Sequence, residues 1–259
     1  MGIVGFNWAE EGNNQLVLLM NRDNWGNRVI NEASWNGQIL SGRSADNNGT
    51  WLAISRGGRV AFLMSKALLL DHVVPDSGCE LYPHEFLEGN MSPQDFAVQV
   101  AQRDVDKQTG LSYSLILADM NSNSMVHMRK PDQDEHQAHN MMIEHVPFGL
   151  HTVSPDGGLD SANSVRALRM RDHFNHIIGV LGNDQLPDVK EIARRAITPG
   201  VFFANTIEHP NPELGMQRFG TTSTTALAVT RTRDVMFYER YRDINGEWTW
   251  IKHDFDLNI

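Results

Sequence analysis

The chain has 259 residues, 41% of them hydrophobic and 21% charged, with a formal net charge of −10 and one cysteine. That length can bury a sizeable core, the acidic balance excludes a general nucleic-acid binder, and the lone Cys79 excludes an internal disulfide framework. No apolar run approaches the roughly 20 residues that span a bilayer; the richest window, "VAFLMSKALLLDHVV", is broken by Lys66 and Asp71.

Residues 3–8 and 15–20 read as strands joined by the polar turn "AEEGNN", so the fold starts at Gly2. "NNGTWLAISRGGRVAFLMSK" reads as a hairpin turning at Arg56-Gly57-Gly58, where glycine takes positive φ. "NMSPQDFAVQVAQRD" predicts a helix with Ser92 as N-cap and Pro93 in the first turn. "LSYSLILAD" and "SMVHMRK" predict a second strand pair around Met120–Ser122. A helix is expected from near Asp160, with Val165, Leu168, Ile177, Ile178 and Leu181 on its buried face. Another, "DVKEIARRAI", puts Val189, Ile192, Ala193, Ala196 and Ile197 on one stripe. The chain closes with the strands "TTALAVT", "VMFYERY" and "EWTWIKHDF", the last aromatic on one face through Trp248 and Trp250. Strands, then helices, then strands predict α+β packing of sheet against helices. With no linker composition, residues 1–259 read as a single domain.

Three groups of side chains could carry chemistry. Asn21, Arg22 and Asp23 follow an apolar strand, where they could orient a carboxylate, amide or amine; the same residues also fit a strand-end ion pair. Trp51, beside a Gly-Thr turn, fits a core anchor as well as a ligand wall. Thr221 to Thr225 form a hydroxyl run before a strand, a donor set or a solvated strand entry. His127, His136, His139, His145 and His151, with the helical pair His173 and His176, complete no metal motif and read as polar loop residues.

"LLMNRDNWGNR" resembles the NRDE signature of the transport and Golgi organisation 2 family. Further matches follow in order: "ASWNGQILSGRSADNNGTWLAISRGGRVAFL", "PFGL", "FGTTSTTALAV" with "VMFYER", and "EWTWIKHDFDL". The resemblance implies an N-terminal-nucleophile (Ntn) hydrolase-like fold, a four-layer αββα sandwich. It also implies roles in Golgi organisation and protein secretion, in haem trafficking, and in lipid or acyl-CoA homeostasis. Family members commonly begin Met-Cys-Ile, which exposes a cysteine nucleophile once methionine is removed; this chain has Gly2. Where members read Leu-Thr-Asn, Gly-Leu-Ser-Asn and Gly-Thr-Arg, this chain ends those motifs at Ser65, Thr152 and Thr222, and Asn24 replaces the last acid of the signature.

The expectation is therefore a non-catalytic ligand-binding or trafficking protein on an Ntn-like scaffold. Its ligand, haem or an acyl-CoA-like amphiphile, would lie among Gly2, Asn21, Arg22, Asp23, Trp51, Ser65, Thr221 and Thr222. The alternative is an Ntn-type hydrolase of an amide or acyl thioester, with Thr221, Thr222 or Ser65 as nucleophile. No basic region precedes an apolar core at the N-terminus, so a cytoplasmic protein without an integral membrane segment is expected. The resemblance adds association with the Golgi or mitochondria.

Overall fold

The computed structural model describes residues 2–26, 28–65, 78–105, 112–131, 141–155, 157–181, 186–203, 207–213, 215–243 and 245–258. Lys66, Asp71, His136 and His139 lie outside the described residues.

Two antiparallel sheets stack between helices. The first orders its strands β11 (Gly158–Leu159), β10 (Gly149–Ser154), β1 (Gly2–Trp8), β2 (Asn14–Trp25), β13 (Gly215–Thr230), β14 (Asp234–Arg242) and β15 (Trp248–Asp256), with β12 (Ile207–Asn211) on the far end of β13. The second orders β3 (Ile30–Asn36), β4 (Ile39–Ser44), β5 (Leu52–Ser55), β6 (Arg59–Ser65), β7 (Tyr113–Asp119), β8 (Ser124–Lys130) and β9 (Met142–His145). Helices α1 (Tyr82–Glu88) and α2 (Pro93–Val105) cover the second sheet; α3 (Val165–Leu181) and α4 (Val189–Arg195) cover the first.

Period-2 alternation sorts each central strand between two cores. On β1 and β2, Val4, Phe6, Trp8, Leu16, Leu18 and Met20 face the other sheet, where Phe6 meets Phe62 edge-on at 5.2 Å. Ile3, Val17 and Leu19 face α3 and α4. In the second sheet Val60, Phe62 and Met64 turn inward, while Ala61 and Leu63 meet Phe86 and Phe96 of α1 and α2. Burial on both faces explains why these strands read as continuous apolar runs rather than alternating ones.

Local chemistry fixes the ends. Gly58 turns the β5–β6 hairpin at φ 79°. The Ser92 hydroxyl accepts from Asp95 N at 3.1 Å and donates to the Asp95 carboxylate at 2.7 Å, capping α2 as expected. Asp188 caps α4 in the same way.

Two expectations need correction. The α3 helix starts at Val165, not near Asp160, and Val165 and Leu168 point to solvent. Its buried stripe is Ala167, Met170, Phe174 and Ile177, because Gly5 lets Met170 and Phe174 approach β1; a Cβ there would lie 3.1 Å from both. Likewise, Ile197 is exposed beyond the end of α4.

Candidate ligand-binding site

Asn21, Arg22 and Asp23 do not end a strand. β2 runs on to Trp25, and all three side chains are buried within it. Alternation therefore sends Arg22 one way and its two neighbours the other, so the predicted residues fall into two compartments.

Between the sheets, Gly2 pairs across β1–β2 with Arg22. The Arg22 Nε donates to the Thr222 hydroxyl at 3.3 Å, and its guanidinium lies 5.3 Å from the centre of the Trp51 ring. Thr222 is the extra residue of a β-bulge, since Thr221 pairs with Asp23 and Ser223 with Arg22. Arg28 stacks on Trp51 at the same distance and is held by Asp46 at 3.1 Å and Glu80 at 2.8 Å. Glu239, fully buried, accepts from Ala33 N at 2.8 Å. Burial lowers the Arg22 pKa from its ordinary value, with Glu239 working against that shift; burial likewise raises the Glu239 pKa. The cavity beside Arg22, Trp51 and Glu239 measures about 20 Å³, room for about one water molecule.

The helix side is different. Asp23 accepts from the Thr221 hydroxyl at 2.7 Å and pairs with Arg166 of α3 at 2.5 Å. The Arg166 guanidinium also donates to Val201 O at 2.6 Å and lies 4.2 Å from the centre of the Phe203 ring. Beside this pair opens a groove of about 540 Å³, walled by Val165, Phe203, Phe219 and Pro155 and edged by Ser154, Ser161 and Asn163. Its size falls in the range of small-molecule pockets.

Asn21 faces neither space. It accepts from the Thr224 hydroxyl at 2.7 Å and donates to the carbonyls of Ala196 and Val201 at 3.4 Å, tying β2 and β13 to the end of α4. Ser65 ends β6 on the face that Leu63 turns to α1 and α2. Thr152 pairs with Gly5, three places along β1 from Gly2. The histidines serve local roles. His127 bonds Glu144 at 2.8 Å, His151 bonds Asp160 at 2.6 Å, and His173 donates to Arg195 O at 2.7 Å. Among the described residues no group of three or more His, Cys, Asp or Glu side chains converges as a metal site.

Arg166, Phe203 and Glu239 are the site residues that the sequence reading misses. Arg166 lies far from its partner Asp23 in the sequence, on a helix whose cationic residues give no sign of which one turns inward.

A sequence model of the family described as Transport and Golgi organisation 2 matches residues 1–243. No curated protein sequence matches the chain. Among solved structures it resembles a Caenorhabditis elegans N-acylethanolamine-hydrolyzing acid amidase (NAAA) ortholog at 12% identity and a TM-score of 0.50, over 87% of this chain and 92% of that one. The likeness establishes the α+β, Ntn-hydrolase-like αββα architecture.

Proposed function

The chain belongs to the Transport and Golgi organisation 2 family, and from that membership we propose a non-catalytic ligand-binding protein whose ligand is a small amphiphile of the acyl-CoA kind. The observation that carries the first half is the fit around Gly2. A Cβ built there would stand 2.4 Å from the carbonyl oxygen of Asn21, a backbone atom that cannot swing aside. The N-terminal strand is thus packed for a residue without a side chain, where the fold would otherwise present a nucleophile. Where the family resemblance implies an arginine, this chain has Thr222, which accepts a hydrogen bond from Arg22.

The ligand belongs in the groove on the helix side. The space at Arg22 holds about one water, while the groove at Phe203 and Phe219 offers apolar walls with a polar edge. Haem fits it poorly. Among the described residues that line it there is no histidine, cysteine, methionine or tyrosine to ligate iron, and Arg166, which could hold a propionate, is already committed to Asp23 and Val201. An acyl chain against Val165, Phe203 and Phe219 suits the lining better, which favours a role in lipid balance over haem supply.

One observation favours the hydrolase alternative: Thr221 donates directly to Asp23, a carboxylate that could act as its base. Against it, the Thr221 oxygen also accepts from Phe203 N at 2.9 Å and is buried.

The test is titration of the protein with a long-chain acyl-CoA and with haem, with release of free thiol followed in parallel. Saturable acyl-CoA binding is expected without thiol release. Val165→Asp puts a carboxylate on the groove wall, against the acyl chain and of the same sign as the CoA phosphates, and should weaken binding by at least about tenfold. Thiol release that Thr221→Ala abolishes would establish the hydrolase instead. Binding indifferent to Val165→Asp removes the groove from the proposal.

A further inference from the structure

α4 is only seven residues long and packs mainly on β13 and β14, reaching the edge strand β15 where Lys190 lies over Trp250; among the described residues no helix packs broadly over β15. The uncovered face is not neutral. On β15, Ile251 and Phe255 pack toward the core between the sheets, so Trp248 and Trp250 point outward, and Trp250 is 54% exposed. Register sets Arg240 of β14 beside Trp250 and Arg242 beside Trp248. The Arg240 and Arg242 guanidinium groups lie 4.3 and 5.0 Å from the centre of the Trp248 ring, and Lys190 of α4 lies 4.9 Å from that of Trp250. Arg194, one turn along α4 from Lys190, adds a further exposed cation facing Tyr238. Of the nearby acids, Glu191 pairs with Arg195 at 3.1 Å and Asp254 with Lys252 at 2.5 Å, while Asp243 accepts from the backbone N–H groups of Asn245 and Glu247 at 2.9 Å. Among the described residues no carboxylate forms an ion pair with Lys190, Arg194, Arg240 or Arg242.

We propose that this face of β14, β15 and α4 is a docking surface for an anionic lipid bilayer. A cluster of four cations that pair with no carboxylate among the described residues, on a chain of net charge −10, selects a polyanion, because beyond a Debye length of about 8 Å the remaining charge is screened and the local patch governs approach. The aromatic residues decide which polyanion. Single-stranded nucleic acid needs open ring faces on which bases stack. Here Trp248 carries two guanidinium groups, and Trp250 is stacked on Tyr238 with Lys190 over its ring. A bilayer needs no open ring face. Tryptophan edges settle at the headgroup level and arginine and lysine meet the phosphates, which is the composition of this patch. The surface lies next to the proposed groove, since Phe202 packs on Trp248 at 6.0 Å and its neighbour Phe203 lines the groove. The docking proposal stands whether or not the groove binds an acyl ligand.

The experiment is co-sedimentation of the full chain with phosphatidylcholine vesicles, with and without phosphatidylserine, at low and physiological salt. Binding is expected only with phosphatidylserine and should fall as salt rises. Each basic side chain removed from such a surface costs roughly fivefold in affinity, so Lys190→Gln with Arg194→Gln should cost roughly twenty-five-fold. Trp250→Ala should weaken binding at every salt concentration. Arg103→Gln, on α2 at the opposite helical layer, should leave it unchanged. Equal binding to neutral and anionic vesicles, no binding to either, or retention of full binding by the double variant overturns the proposal. So does capture of a single-stranded oligonucleotide at protein and salt concentrations where phosphatidylserine vesicles capture nothing. Because the four exposed side chains lie outside the core, unchanged thermal unfolding of the variants separates lost docking from lost fold.

Discussion

At the scale of single residues, the position that matters most is the one without a side chain. Gly2 lies across from Arg22 on β2, with the Asn21 carbonyl in the space a Cβ would take. Gly2→Ala should therefore force β1 away from β2 and destabilise the protein by about 1–3 kcal/mol, the usual cost of overpacking. Gly2→Cys should cost at least as much and release no thiol from an acyl-CoA, because the backbone and the missing pocket groups are not restored with the sulfur. Urea unfolding of both variants, with a thiol assay on the second, checks this; a Gly2→Ala protein as stable as the parent would remove the steric argument. The glycine itself is readable in the sequence, but its packing is not, since the clash comes from an atom of another strand. The same limit applied to Asn21, Arg22 and Asp23. They were legible as a motif, yet a strand that runs five residues beyond Met20 sends alternate side chains into different compartments, and only tertiary pairing fixes where that strand ends.

Among the elements, the strands and helices with strong apolar periods were legible, and those whose order comes from neighbours were not. The β3–β4 hairpin escapes a search for alternation because β3 shows only Ala33 buried; its signal was the Asn36-Gly37 turn, with Gly37 at φ 58°. The short helix α1 escapes because its docking is polar as well as apolar. Its His84 contacts the Ser41 hydroxyl through Nε2 at 3.0 Å and Arg43 through Nδ1 at 3.2 Å. Arg43 can only donate, so Nδ1 must accept and Nε2 must carry the proton. Burial, with Arg43 adding to it, pushes the His84 pKa down from 6.5 to about 4. The unfolded chain then takes up the proton first as pH falls. The stability that His84 contributes is complete above pH 6.5 and is lost between 6.5 and 4. Solvent screening at the partly open Arg43 side leaves an effect of about 2 kcal/mol. The unfolding free energy should decline between pH 6.5 and 5, above the range where most carboxylates titrate, and His84→Gln should flatten that segment. A slope unchanged in His84→Gln would assign the decline to another group.

At the scale of the whole molecule, the features that carry the two proposals lie in different layers from the inter-sheet core. Helices cover one face of each sheet, the small cavity beside Arg22 lies between the sheets, and the groove and the basic aromatic face both lie on the side of α3 and α4. Such an arrangement puts the inter-sheet core at the centre of everything else, because each sheet uses its two faces for two different cores. We read residues 1–259 as one cooperative domain on that basis, and Phe62 is the place to test it. Phe62 is 1% exposed and meets Phe6 of the opposite sheet edge-on, so Phe62→Ala should cost about 3–5 kcal/mol. Phe174→Ala removes a buried ring between α3 and the first sheet, and Phe86→Ala one between α1 and the second sheet. If the layers unfold as one, all three variants should shift a single transition that coincides in far-ultraviolet circular dichroism and tryptophan fluorescence. Should Phe174→Ala and Phe86→Ala each split off a separate transition while Phe62→Ala lowers both, the two sheet-and-helix halves are independent units joined by an interface, and the single-domain reading fails.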